Sequence, residues 1–298
     1  VSDETLVVAS WNVAHNGRGD GDVLDGNHIH DARRYLASKR PDIVFRQELT
    51  GAWDEGQLNL FAEANALGGL FPHMARPQHG KSRNPPGLMV STRHLVIDQT
   101  ADAELPWRAI SGLRVRLKGC AKTLHLASAH LTSFDPALRA TEARWLTRLA
   151  DHGRTALIGM DANSYPHRAG DETTTPIDWG AVADRVHFQH RTTANGVPDT
   201  KPSSILTAGP HGQDGVFTDL GHYAGTTLEQ PNALKATASL WRTDQGPPQR
   251  IDWLLATPDL LPALTAVEVV DSPEVRHVSD HALVLATFSL PDLRRLLA

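Results

Sequence analysis

Short apolar runs, separated by polar connections rich in glycine and proline, recur along this chain, and their period separates strands from helices. Residues 6–13 (LVVASWNV) form a run with β-branched residues that predicts a strand. The loop after it, HNGRGDGD, is too rich in glycine and aspartate for regular structure. Residues 28–39 suit a helix that stops at Arg40-Pro41, because the residue before a proline disfavours helical backbone. Residues 42–47 predict a second strand, and 57–67 a second helix closed by Gly68-Gly69. Further strands are expected at 88–91, 113–117, 123–130 and 155–160. Between the last two, 136–150 predicts a helix with Pro136 in its first turn and Asp135 as its cap. Residues 164–250, dense in Gly, Pro, Thr and Asp, predict mostly irregular backbone. Strands resume at 251–256, 266–270 and 282–288.

This order mixes strands and helices without strict βαβ alternation, which argues for antiparallel or mixed sheets covered by helices. Residues 113–117 and 123–130 have the spacing of a hairpin. No Ser/Gly or Pro run separates two compositions, and no repeat is visible, so residues 1–298 are expected to form a single domain.

Several expected strands end in a residue able to bind a metal or a phosphate. The first, 6–13, carries Asn12; Gln47-Glu48 ends the second, His130 the strand at 123–130, and Asp161-Ala162-Asn163 the strand at 155–160. Asp252 follows Arg250 at the start of the next, and Asp280-His281 precedes the last. Each has an ordinary reading alone: a satisfied buried amide, a core histidine, an Asx turn, an ion pair of Asp252 with Arg250. Together they would need about six independent coincidences at strand ends.

The segments WNV (11–13), RQE (46–48), SAHL (128–131), GMDAN (159–163), RIDW (250–253) and SDH (279–281) resemble, in this order, the endonuclease/exonuclease/phosphatase superfamily. That group includes pancreatic-type deoxyribonucleases, abasic-site endonucleases, inositol-polyphosphate 5-phosphatases and neutral sphingomyelinases. The resemblance runs from the first strand to the last. It implies an α/β (α+β) four-layer sandwich, two mostly antiparallel mixed β-sheets packed face to face with helices on both outer faces. It also implies a phosphoesterase site at one edge, using Mg²⁺ or Mn²⁺. Ala14 stands where the abasic-site enzymes carry an extra acid, which counts against that branch. Arg46 precedes Gln47-Glu48 where an apolar residue is usual, and is expected to pair with a nearby acid.

The resemblance also implies roles. Glu48 and Asn12, with Asp280 directly or through water, would hold the metal, since Mg²⁺ prefers a few oxygen ligands. Asp161 would position or deprotonate the attacking water, and Asn163 would share its face and hold that water or a phosphoryl oxygen. His281 would donate to a non-bridging oxygen, with Asp252 orienting the imidazole and favouring its charged form. His130 would be a second phosphate donor. Arg18, Lys81 and Arg83, in the loops at 15–28 and 76–86, are candidate substrate-binding cations. Trp107, Trp179 and Trp241 are read as core residues before stacking platforms. His28 and His30 are read as solvated, and no Cys/His cluster with zinc spacing occurs.

Charge narrows the substrate. A net −5 and a pI near 6.3 argue against a broad basic face for duplex DNA, without excluding a local basic groove. No apolar hairpin suited to a membrane surface is evident. The expected substrate is a phosphoester, with a lean to a small molecule or lipid headgroup; DNA or RNA is the alternative. A binding protein on the same scaffold is the rival from another class, and it expects Glu48, the Asp161/Asn163 pair or His281 to be missing; all are present. The only cysteine, Cys120, permits no internal disulfide. With no transmembrane run and no basic-then-apolar leader, a cytoplasmic monomer is expected; the absent initiator Met leaves a removed leader and secretion open.

Overall fold

Alternation along the strands sorts side chains onto two faces, and that sorting builds the molecule. A computed structural model describes residues 4–18, 27–168, 170, 172, 177–209 and 213–298. Two six-stranded mixed sheets carry the fold. The first contains β1 (Thr5–Asn12), β2 (Ile43–Gln47), β3 (Phe71–His73) and β4 (Gly87–Val90), with β11 (Leu264–Val270) and β12 (Leu283–Ser289) from the far end of the chain. Its order is β11-β12-β1-β2-β4-β3. The second holds β5 (Leu95–Thr100), β6 (Ser111–Leu117), β7 (Thr123–His130), β8 (Thr155–Asp161), β9 (Thr218–Asp219) and β10 (Asp252–Ala256), in the order β5-β6-β7-β8-β10-β9. Among the described residues only β1–β2 and β7–β8 pair in parallel; the other pairings, including the expected β6–β7 hairpin, are antiparallel.

Leu6 and Val8, Ile43 and Phe45, and Val284, Ala286 and Phe288 from the first sheet share one buried cluster with Leu113, Val115, Leu124, Leu126, Leu157 and Leu254 from the second. This is the layer between the sheets. The opposite face of the first sheet, with Ala9, Trp11, Val44 and Met89, packs on α1 (Ile29–Ser38) and α2 (Asp54–Ala66). The opposite face of the second, with Ala127, Ala156, Ile158 and Met160, packs on α3 (Pro136–Thr147). Asp135 caps α3 as expected, accepting from Ala137 N at 2.8 Å and Leu138 N at 3.1 Å. The layers are therefore helix, sheet, sheet, helix.

Residues 164–250 are mostly irregular among the described residues, as expected, with a few short regular elements set between the loops. They hold β9 and three short helices, α4 (Arg185–Arg191), α5 (Lys201–Thr207) and α6 (Leu220–Thr226). Asp184 and Asp219 cap α4 and α6 by accepting from the first-turn amides. β3, β5 and two later helices, α7 (Pro273–Arg276) and α8 (Leu290–Leu297), lie outside the expected elements. Residues 19–26 of the loop at 15–28 fall outside the described residues. Among the described residues no helix is long and apolar enough to cross a membrane.

Candidate active site

The inner rows of five strands turn polar toward the same end of the sandwich. β1 runs Leu6, Val8, Ser10, Asn12; β2 runs Ile43, Phe45, Gln47; β7 runs Leu124, Leu126, Ser128, His130. β8 runs Leu157, Gly159, Asp161, and β10, antiparallel to it, runs Ala256, Leu254, Asp252. An amide layer separates apolar core from charged end. Gln47 Nε2 donates to Ser10 Oγ at 3.5 Å, Ser128 Oγ at 3.4 Å and the Gly159 carbonyl at 3.4 Å. Gly159 also lets the sheets approach, since a Cβ there would meet the Phe45 side chain at 2.4 Å.

Register does the next step. His130 pairs with Asp161 across β7–β8, and Asp161 with Asp252 across β8–β10, so an imidazole and two carboxylates sit side by side. From the facing sheet Asn12 Nδ2 donates to Asp161 Oδ2 at 3.0 Å, and His130 Nε2 lies 3.3 Å from the same oxygen. The backbone N–H of Asn163 donates to Asp161 Oδ1 at 2.9 Å. Burial opposes ionisation of Asp161, but His130, His281, Arg191 and the Asn163 amide prevail and hold its pKa below the usual carboxylate value. Burial, with Arg108, drives His130 well below an ordinary histidine, so it stays neutral at physiological pH.

The loop before β12 supplies the other half. Ser279, fully buried, donates its hydroxyl to the Asn12 carbonyl at 2.8 Å and accepts from Ala14 N and His281 N, tying this loop to the end of β1. His281 Nδ1 donates to Asp252 Oδ2 at 2.9 Å and faces Oδ1 at 3.1 Å. Burial alone would depress the imidazolium, but Asp252, supported by Asp280 and Asp161, raises its pKa well above the usual 6.5. Arg250 does not pair with Asp252; it is buried between Glu172 and Asp219 and donates to both carboxylates. Arg46 pairs with an acid as expected, its Nε donating to Glu63 Oε1 at 2.7 Å.

Glu48 follows β2 with a left-handed backbone (φ 56°), and its Oε2 accepts from His15 N at 2.8 Å. Glu48, His130, Asp161, Asn163, Asp280 and His281 all line one cavity of about 220 Å³. Asn12 lies beneath it, and its Oδ1 is buried without a hydrogen-bond partner. Asn163 departs from the expected shared strand face: its φ of 48° turns the chain out of the strand. Its Nδ2 donates to the Leu131 carbonyl at 2.9 Å, and its Oδ1 accepts from Arg191 Nη2.

Two cavity cations escaped sequence reasoning. Arg108 donates from Nη1 to the carbonyls of His130 and Leu131, and from Nε to Ser82 Oγ. Arg191, at the end of α4, donates to the carbonyls of Ser133 and Asn163. Its position follows from Arg139, a fully buried guanidinium that holds Asp199, the Thr132 carbonyl and the His190 carbonyl together. By contrast Arg18, Lys81 and Arg83 do not reach this cavity. They line an adjacent open groove of about 700 Å³ together with Trp53. Trp107 stacks edge-on against Phe134, and Trp179 packs on Tyr165 and Phe188. Trp241 lines a neighbouring cavity of about 420 Å³ with Pro247 and Pro248.

No protein-family model matches this sequence, and no curated protein matches it. Solved structures do. An endonuclease/exonuclease/phosphatase protein from Bacteroides vulgatus superposes with a TM-score of 0.61 at 15% identity, covering 96% of this chain and 99% of the other. ANGEL2, a 2′,3′-cyclic phosphatase in complex with adenosine-2′,3′-vanadate, gives 0.63 at 13% identity, covering 96% and 95%. TDP2 from D. rerio, complexed with a single-strand DNA product, gives 0.60 at 15% identity, covering 96% and 100%. The chain thus has the endonuclease/exonuclease/phosphatase fold that the strand-end motifs led one to expect.

Proposed function

We propose that this chain is a divalent-metal-dependent phosphoester hydrolase acting through the cavity at the polar end of the sandwich. The observation that carries the reading is the convergence there of a low-pKa carboxylate, an imidazolium held by a buried acid, and two guanidinium groups, Arg108 buried and Arg191 half-buried. The fold shared with ANGEL2 and TDP2, a cyclic phosphatase and a protein seen with a DNA product, supports the same class.

The donor set fits Mg²⁺ or Mn²⁺. Asn12 Oδ1 is an orphaned buried oxygen, Glu48 and Asp280 add carboxylates, and no sulfur ligand is present. These three would hold the ion. When bound, it would neutralise charge on the phosphoryl oxygens.

Asp161 is positioned by three donors with its charge retained, and takes the proton of the attacking water as the new O–P bond forms and the bond to the leaving oxygen breaks. His281, charged because of Asp252, donates from Nε2 to a non-bridging oxygen as negative charge builds. His130 serves Asp161 rather than the phosphate, because its Nε2 already faces that carboxylate. Asn163 orients Asp161 through its amide and Arg191 through its side chain. Arg108 and Arg191, tied to carbonyls, act as fixed positive charges in the wall.

The cavity volume, about 220 Å³, favours a small phosphoester or headgroup over a duplex. A second reading, a single-stranded nucleic acid, rests on the adjacent groove with Arg18, Lys81, Arg83 and Trp53. A panel of sphingomyelin, inositol phosphates, nucleotides, RNA, and supercoiled and abasic DNA, with Mg²⁺ and with EDTA, separates the two. EDTA-sensitive turnover confined to small esters supports the first, strand cleavage the second. No turnover of any member, with Asp161→Asn indistinguishable from the parent, refutes the hydrolase.

A further inference from the structure

Apart from the reaction cavity, one cluster among the described residues brings metal-binding side chains together from opposite ends of the chain. His28 lies just before α1, Asp31 in its first turn, and His277 just after α7. Asp31 Oδ2 is 4.0 Å from His28 Nδ1 and 3.7 Å from His277 Nε2, and one ligand atom from each residue lies within 4.8 Å of the others. None of the three lines the reaction cavity.

We infer that His28, Asp31 and His277 form a second metal site, for a transition-metal dication such as Zn²⁺. The separations are those of loose ion pairs, and a shared cation would draw the three groups together. N–H···O bonds fall at about 2.7–3.2 Å, whereas donors around a tetrahedral ion with bonds of about 2.0–2.2 Å stand roughly 3.4 Å apart. The observed spacings lie just outside the second value, within reach of small side-chain rotations. Two further features fit. The imidazoles meet edge to face with centroids 4.3 Å apart, so both nitrogens can turn to one point. The other Asp31 oxygen accepts from Arg34 Nη2, the outer hydrogen bond that typically orients a ligating carboxylate.

Two imidazoles and one carboxylate select a borderline ion over Mg²⁺. The side chains of His28, Asp31 and His277 are 16%, 37% and 60% exposed, so ions can enter and water can complete the shell. His277 stands four positions before His281 and His28 opens α1, so an ion here would clip the start of α1 to the loop carrying Asp280 and His281. The clip is structural; the hydrolytic chemistry does not depend on it.

The test uses the intact chain, stripped with EDTA, desalted, and held in excess Mg²⁺ to fill the reaction cavity. It is titrated with Co²⁺, read by visible absorption, and then with Zn²⁺, read by calorimetry and thermal melting. The expected result is one Co²⁺ per chain, displaced by Zn²⁺, with the melting temperature raised. Binding weakens by at least about tenfold in His277→Ala and in Asp31→Ala, and is unchanged in Glu48→Gln. His277 is exposed, so its variant keeps the fold, which the metal-free melting temperature checks. No Co²⁺ spectrum, one that survives both variants, or one lost only in Glu48→Gln overturns the site.

Discussion

Replacing Asp252 with asparagine removes the charge that keeps His281 protonated while leaving the side-chain volume almost unchanged. Asp252 Oδ2 and His281 Nδ1 are 2.9 Å apart, with side chains 1% and 12% exposed. Two unit charges about 4 Å apart at an effective dielectric near 20 interact by about 4 kcal/mol. Its loss shifts the balance toward the neutral imidazole. Losing it leaves burial opposed only by Asp280 and Asp161, and the imidazolium pKa falls. The direction of the pH profile follows. A raised imidazolium keeps the parent active on the alkaline side until pH passes that pKa, whereas the variant loses activity at lower pH. Near pH 7.5, kcat/KM for bis(p-nitrophenyl) phosphate should fall by roughly 10²-fold or more, with the alkaline limb displaced toward acid. The assay is kcat/KM across about pH 5–9 with Mg²⁺ saturating, beside a thermal melt to confirm folding. A folded variant within about threefold of the parent, with its alkaline limb in place, would refute the imidazolium role.

Three further outcomes follow from the same geometry. Asp161→Asn keeps the size and loses the base, so kcat should fall by about 10²–10⁴ with little change in KM; a change confined to KM would make Asp161 a binding residue. Gly159→Ala forces a methyl to 2.4 Å from the Phe45 side chain, and urea unfolding should show a loss of about 1–3 kcal/mol; unchanged stability would mean the sheets separate freely. Lys81→Ala combined with Arg83→Ala should leave the small chromogenic diester within about twofold, since both lie in the adjacent groove, while flattening any salt dependence of oligonucleotide cleavage. A tenfold loss on the small ester would bring them into the reaction itself.

The site was legible where strands carried it. Asn12, Glu48, His130, Asp161 and Asp252 close or adjoin apolar strand rows, and a period of two puts their side chains on known faces. Arg108 and Arg191 left no such trace. They come from loops and a seven-residue helix, and long-range bonds such as Arg139 to the His190 carbonyl bring Arg191 in. The short helices of 164–250 escaped because seven residues give two turns, too few for a readable apolar stripe. β5 escaped because it is mostly exposed, with Glu-free but polar Asp98, Gln99 and Thr100 at its end. His28 read as solvated because its partner His277 lies at the other end of the chain. Arg18, Lys81 and Arg83 lie on loops that the chain's path sends beside the cavity rather than into it.

In the proposed reaction, water attacks phosphorus in the cavity between Asp161 and His281 with a divalent ion present. Hydrolysis of bis(p-nitrophenyl) phosphate in ¹⁸O-labelled water, with product analysis by mass spectrometry, tests it most directly. The expected result is one labelled oxygen in the phosphate product and none in the phenol, formation that stops with EDTA and returns with Mg²⁺, and near-complete loss in Asp161→Asn. Label in the phenol, or a rate indifferent to both EDTA and Asp161→Asn, would contradict it.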